Sequence, residues 1–273
     1  MTSKLYHCLV ITLEDAHERR ATISSRLESL GIPYTFVPGV DGRKIDVASH
    51  PRYTGWKRRT FFGRDLSGGE LGCILAHRAV YEHIANTELA WSLVLEDDAI
   101  LSDELTDVLD ALLDVADEWD IIRFLGREKN YRASRRIKPL GNSGNMLART
   151  RGTPGGAYGY LVNLHAARRL LAMTERNWLP IDTLHGFSWV TGLETLSVVP
   201  SPVLPNDDIP SCIDEQDAHK RWSKSVTLSG LRRIAYPLTR GLFKTWLNIM
   251  VRWVWLRTLI PDRKEYRKWT RQS

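Results

Sequence analysis

Cysteine is scarce in this sequence. Its three thiols, Cys8, Cys73 and Cys212, include no Cys-x-x-Cys pair, and no histidine stands at finger spacing from them. Neither a disulfide framework nor a structural zinc site is expected, and a reducing compartment suits the composition. Long apolar runs are also missing. The stretch from Leu9 to Leu13 is too short for the core of a signal peptide and passes directly into a charged helix start. The chain has no internal repeat and no Gly/Ser linker. Its 19 glycines and 12 prolines among 273 residues are too few for a collagen-like or low-complexity class. What is present, 43% hydrophobic and 26% charged residues, is the composition of a globular protein with a sizeable core.

The net charge of +6 conceals an asymmetry. Residues 220–273 carry fourteen Lys and Arg against Asp262 and Glu265, a balance of +12, which leaves −6 for residues 1–219. An acidic body, 1–220, and a basic helical tail, 221–273, are therefore expected to do different work.

The body alternates strand and helix patterns. Leu5–Leu13 is apolar and β-rich. Ile23, Leu27 and Leu30 recur at helical spacing before Gly31 and Pro33, and Tyr34–Val37 reads as a second strand. A strand, a helix and a strand form the unit that builds parallel sheets, so an α/β fold with a mainly parallel central sheet is expected, with ligands at the carboxyl ends of the strands. Residues 44–68 lack a sustained period and read as a surface excursion. Ser67-Gly-Gly-Glu70 opens a helix with apolar Leu71, Ile74, Leu75, Val80 and Ile84. Trp91–Leu95 is a buried-type strand, followed by a helix near 103–119 and a strand at Ile121–Leu125. Residues 126–156, with four glycines before Gly155, six arginines and three asparagines, read as a mobile loop. Gly156–Asn163 and His165–Glu175 supply a further strand and helix, and the turn-rich segment 180–217 holds Asp182, Glu194, Asp207 and Asp208.

The most informative feature is Glu96-Asp97-Asp98 at the end of an apolar strand. Three such carboxylates repel one another and lose solvation unless a cation or hydrogen-bond donors compensate them. Glu96 and Asp98 point to the same side of an extended chain. Carboxylate oxygens suit Mg²⁺ or Mn²⁺, with positions left open for phosphate. The plainer reading has the acids capping the next helix.

The blocks Val10-Ile-Thr-Leu13 with Arg19-Arg20, Val40-Asp-Gly42, Gly69-Glu-Leu-Gly-Cys73 with Ala76-His77-Arg78, and Leu93-Val-Leu-Glu-Asp-Asp98 resemble, in order and spacing, glycosyltransferase family 25. Gly156-Ala-Tyr158 through Asn163, Ala167–Leu171 and Pro180-Ile-Asp182 extend the resemblance to about residue 215. It implies a GT-A-like nucleotide-sugar-binding fold and transfer of a hexose from a uridine diphosphate donor, with galactose in β linkage and inversion as first expectation, to a lipooligosaccharide or lipopolysaccharide core. UDP-glucose, or a protein or capsular acceptor, stands as the alternative. Asp98 with Glu96 is then expected to hold Mn²⁺ or Mg²⁺. Thr12, Arg19, Arg20, Asp41, His77, Arg78, Glu96 and Asp97 are expected around the donor. Asp182, and second to it Glu194, is expected to take the acceptor proton. The family usually has Asn where Thr12 stands and Ser where Ala76 stands. Plainer readings remain beside these: His77 as a hydrogen-bonded core histidine, Arg19 and Arg20 as surface cations, Asp41-Gly42 as a turn, and Asp182 as a helix cap.

The tail from Trp222 holds five of the ten tryptophans, interleaved with basic residues. Gly241–Ile260 reads as an apolar helix with a basic edge, with Arg252 at its middle and too interrupted to span a bilayer. Docking on an anionic inner-membrane surface from the cytoplasmic side, packing on the body, or, third, contact with nucleic acid would each suit it. A non-catalytic membrane or nucleic-acid binding module is the rival from outside the enzymes.

Overall fold

The computed structural model describes residues 6–127, 131–142, 144–206, 228 and 230–270. The boundary near residue 220, together with Asp207, Asp208, Cys212 and Trp222, lies outside the described residues. The chain begins with the expected unit: β1 (Tyr6–Thr12), α1 (His17–Ser29) and β2 (Tyr34–Pro38). Helix α3 (Gly68–Thr87) then leads to β3 (Trp91–Glu96), which lies parallel to β1 on the side away from β2. Ser67 starts α3 as anticipated. Its hydroxyl accepts from the Glu70 amide at 3.1 Å while the Glu70 carboxylate accepts from the Ser67 amide at 2.8 Å, a reciprocal cap of about 1 kcal/mol.

Five further strands complete an eight-stranded sheet: β5 (Ile121–Phe124), β6 (Arg135–Leu140), β7 (Asn145–Arg149), β8 (Gly159–Asn163) and β9 (Thr195–Val199), in the order β2-β1-β3-β8-β5-β9-β7-β6. The sheet is mixed, which corrects the mainly parallel expectation. Only β1·β2, β1·β3 and β5·β9 pair in parallel, because β8 inserts antiparallel between β3 and β5, and β7 and β6 continue antiparallel beyond β9. A separate ribbon pairs β4 (Ala99–Leu101) with β10 (Val203–Pro205).

Both sheet faces are buried, and the period of two along the strands divides them. Cys8 and Val10 of β1, with Leu93 and Leu95 of β3, join α1 and the Leu105, Val108, Leu109 and Leu112 face of α4 (Leu105–Leu113). Leu9, Ile11 and Val94 face the other way, onto α3 and α5 (Leu164–Met173). A fully buried leucine such as Leu27 or Leu71 truncated to alanine is expected to cost ~2–5 kcal/mol.

Two segments that read as irregular contain regular elements. Residues 126–156 contain the β6–β7 hairpin, and two of the six arginines that make the segment look like a loop, Arg135 and Arg149, pack against an acid far along the chain. Arg135 donates to Asp262 at 2.7 Å, and Arg149 donates to the same carboxylate at 2.8 and 3.1 Å. Residues 44–68 contain α2 (Gly55–Phe62), which is covered by the tail. Among the described residues the tail forms two helices, α8 (Leu231–Arg257) and α9 (Leu259–Trp269). Phe243 of α8 is buried among Phe61, Phe62, Trp178 and Leu179, and Arg240 donates to the Phe61 carbonyl at 3.0 Å. Asp262 is the α9 residue that holds Arg135 and Arg149. The tail thus packs on the body through one face. The opposite face of α8, with Leu231, Ile234, Leu238, Leu242, Ile249, Trp253 and Leu256, is exposed.

Candidate active site

The carboxyl ends of β1, β2 and β3 lie side by side, the usual place for a ligand in an α/β sheet. Thr12 ends β1, Gly39 to Arg43 follow β2, Glu96 ends β3, and Asp97-Asp98 turn the chain into β4. With the start of α1 and the first turns of α3 they enclose a cavity of about 320 Å³, lined among others by Asp15, Arg19, Asp41, Cys73 and His77. The loop after β2 can reach α3 because both contacts are glycine. A side-chain carbon at Gly42 would stand 2.4 Å from the Gly68 carbonyl group, and one at Gly68 would stand 2.2 Å from the Gly42 oxygen. Asp41 closes the turn, accepting from the Arg43 amide at 3.0 Å and from its guanidinium at 2.7 Å, which holds the Asp41 carboxyl below its ordinary range.

The three acids have unequal surroundings. Asp97 accepts from the Thr12 hydroxyl at 2.7 Å and lies 3.5 Å from Arg19. Burial still raises its pKa, against those two partners. Asp98 is pushed up to about 7, first by burial and then by the negative charges of Glu96 and Asp97. Its Oδ1 is buried with no hydrogen-bond partner. A buried carboxylate oxygen without a donor, beside two more carboxylates, is chemically suited to a hard divalent cation. The plainer helix-cap reading of these acids does not hold, since none of them caps α4.

His77 is deeply buried and hydrogen-bonded, as the plainer reading has it, and it also forms part of the cavity wall. Its Nδ1 lies 2.8 Å from the Tyr160 hydroxyl, and its Nε2 lies 3.5 Å from Glu96. Behind it the Tyr160 hydroxyl donates to Tyr81 at 3.3 Å, and Tyr81 meets His185 Nε2 at 2.7 Å. Burial, followed by Arg123 and His77, drives the pKa of His185 well down, so this chain ends on a neutral imidazole.

The structure brings Thr12, Arg19, Asp41, His77, Glu96, Asp97 and Asp98 to one cavity. It places Arg20, Arg78 and Glu194 elsewhere. Arg20, about 100° around the helix from Arg19, lies over the Phe36 ring at 4.5 Å. Arg78 turns toward α5, donating to the Leu171 carbonyl at 2.7 Å and pairing with Glu175 at 2.9 Å. Glu194 precedes β9 at the level of Ile121, which register carries through Val162 to Ser92, the opposite end of β3 from Glu96. There it pairs with Arg149.

Asp182 does not line the cavity but is tied to the chain beside it. It stands at the start of α6 (Ile181–Gly186), and its carboxylate accepts from the Gly156 amide at 3.2 Å and from the Thr183 amide at 2.6 Å. Two residues on, the Tyr158 carbonyl accepts from the Glu96 amide at 2.9 Å, so one short segment of chain joins Asp182 to the acidic motif. Sequence reasoning missed Arg43, Asp15 and Cys73 as wall residues. Cys73 had a signal, its spacing of four residues from His77 on one helix face.

Residues 6–185 match the family described as Glycosyltransferase family 25 (LPS biosynthesis protein), and the chain belongs to that family. Probable inactive glycosyltransferase 25 family member 3 of Rattus norvegicus is 32% identical over 186 residues, covering 63% of this chain and 31% of its own. Procollagen galactosyltransferase 1-A of Xenopus laevis is 28% identical over 186 residues, covering 63% and 29%. Procollagen galactosyltransferase 2 of Homo sapiens is 26% identical over 186 residues, covering 63% and 28%. The chain thus spans less than a third of the length of these relatives. Among solved structures, mannose-1-phosphate geranyltransferase from Thermus thermophilus covers 79% of this chain and 78% of its own at 14% identity, with a TM-score of 0.33, too distant to carry an argument.

Proposed function

We propose that this family 25 chain is a hexosyltransferase whose donor, a uridine diphosphate sugar, binds in the cavity at the ends of β1, β2 and β3. The observation that carries the reading is Asp98, a half-buried carboxylate at a cavity wall with one buried, unpartnered oxygen. Asp98 and Glu96 would hold Mn²⁺ or Mg²⁺, which when bound supplies positive charge against the departing diphosphate. Arg19 and Arg43 add cationic charge to the same cavity. Thr12 and Arg19 hold Asp97 in place, and Asp41 offers a carboxylate to ribose or base. Asp182 takes the proton of the attacking acceptor hydroxyl on the far face of the sugar, which inverts the anomeric centre. Galactose is the preferred sugar, supported by the names of two relatives.

The acceptor we favour is a lipooligosaccharide or lipopolysaccharide core, supported by the family's description. The exposed apolar stripe of α8 supports an acceptor at a membrane. It is flanked by Arg233, Lys244, Arg252 and Arg257, a pattern suited to lying in an anionic interface on the cytoplasmic side. No helix among the described residues is long and apolar enough to cross a membrane. Flotation with anionic vesicles tests the stripe. Binding that survives Leu238→Glu and Leu242→Glu together would sink that part.

The donor reading is tested by following UDP-galactose, UDP-glucose and UDP-N-acetylhexosamines with Mn²⁺ or with chelator. Metal-dependent turnover of one donor, lost in Asp98→Ala and reduced ~100-fold or more in Asp182→Asn, is expected. Some relatives are named inactive, and that favours a second reading in which the donor binds without transfer. Metal-dependent UDP binding with no turnover in the presence of acceptor would establish it.

A further inference from the structure

We propose that Cys73, His77 and Glu96 form a second cation position in the cavity, one that selects a soft ion of the zinc class. The Cys73 thiol, a His77 ring nitrogen and a Glu96 carboxylate oxygen all lie within 4.8 Å of one another. Cys73 and His77 stand one turn apart on α3, and Glu96 reaches them from the end of β3. The separation of His77 Nε2 from Glu96 Oε1, 3.5 Å, is close to the ~3.3–3.5 Å between two ligand atoms on tetrahedral zinc.

The surroundings of His77 prepare it as a ligand. With the Tyr160 hydroxyl proton given to Tyr81, the Tyr160 oxygen accepts from Nδ1–H of His77. Nε2 then presents its lone pair toward Glu96, and this buried atom has no hydrogen-bond partner. A lone pair facing a carboxylate is an arrangement that a cation between them resolves. An orienting partner on the far ring nitrogen is also what zinc-bound histidines have.

The donor set distinguishes this position from the one at Asp98. Thiolate, imidazole and a single carboxylate suit zinc with three protein ligands and one open site, whereas Mg²⁺ and Mn²⁺ prefer oxygen. The open side faces the cavity that Cys73, His77 and Glu96 all line. Binding expels the thiol proton to solvent. It also draws Glu96 away from Asp98, so the soft ion opposes the hard one. The inference stands on this cluster and holds whether or not the chain transfers sugar.

The test uses the full chain, reduced with a phosphine and titrated with Co²⁺ as a spectroscopic substitute for zinc. A thiolate-to-cobalt charge-transfer band in the near ultraviolet, saturating at one ion per chain and erased by one equivalent of Zn²⁺, is expected. The band should vanish in Cys73→Ser and Cys73→Ala, checked for folding by circular dichroism, and persist in Asp98→Asn. Absence of the band in the unaltered protein at saturating Co²⁺, or its survival in both Cys73 variants, would overturn the proposal. Donor turnover lost in Asp98→Asn while the band persists separates this site from the transferase reading.

Discussion

Two clusters of buried charge lie in different parts of this molecule, and they are balanced in opposite ways. In the first, Asp262 of α9 sits 5% exposed between Arg135 and Arg149 and is held by charge-assisted bonds of 2.7, 2.8 and 3.1 Å. Burial works against the charge of Arg149, yet Asp262 and Glu194 outweigh it and its pKa is raised. In the second, Glu96, Asp97 and Asp98 have Arg19 as a nearby cation, and one oxygen of Asp98 has no partner. The first cluster is complete as the chain stands and fastens the tail to the hairpin. The second has negative charge to spare, and that surplus supports the proposed binding site over a brace.

The sharpest way to break this comparison is to remove one member from each cluster. Asp262→Ala leaves two largely buried arginines without their shared carboxylate, and ~3–5 kcal/mol of stability should be lost in urea unfolding. Asp98→Asn should do the reverse: turnover of the donor falls ~100-fold or more, while the metal-free protein unfolds no earlier than the unaltered one. If Asp98→Asn proved as destabilising as Asp262→Ala, the acids at β3 would be a brace after all.

A pH series sharpens the same point. The Asp98 carboxyl is raised to about 7 from an ordinary value of 3.8. Between those values the folded protein keeps a proton that the unfolded chain has released. With metal chelated, the contribution of Asp98 is therefore fully present below about pH 4 and is lost as pH rises through about 7. The loss is at most a few kcal/mol. Thermal melts in chelator should show this decline, and Asp98→Asn should flatten it.

The sequence was most legible where a local pattern sufficed. The capping box at Ser67, the apolar period of α3 and α4, and the strand ending in Glu96 each depend on near neighbours, and α3 with the end of β3 places one side of the cavity wall. What stayed hidden depends on partners distant in the chain. Nothing near Arg135 or Arg149 announces that Asp262, more than a hundred residues away, will make a hairpin of a segment that reads as a loop. The direction of β8 was equally hidden, because an apolar strand reads the same whichever way it runs in the sheet. The side chains at the cavity follow from helical phase. Arg19 and His77 face inward, whereas Arg20 and Arg78, each one residue on, face away.

Glu194 provides the finest test, since it is an acid that belongs to the brace and not to the site. Register places it at the end of the sheet opposite Glu96, where Arg149 already has Asp262 as a second, more deeply buried partner. The Glu194 side chain is about a third exposed, so water can replace much of what Arg149 would lose. Glu194→Gln should therefore change stability by no more than ~1 kcal/mol and leave donor turnover within about twofold. Steady-state kinetics and urea unfolding on the same preparation would show both. A large fall in turnover with stability intact would mean that the opposite end of the sheet reaches the chemistry, and the division between brace and site would have to be redrawn around Arg149.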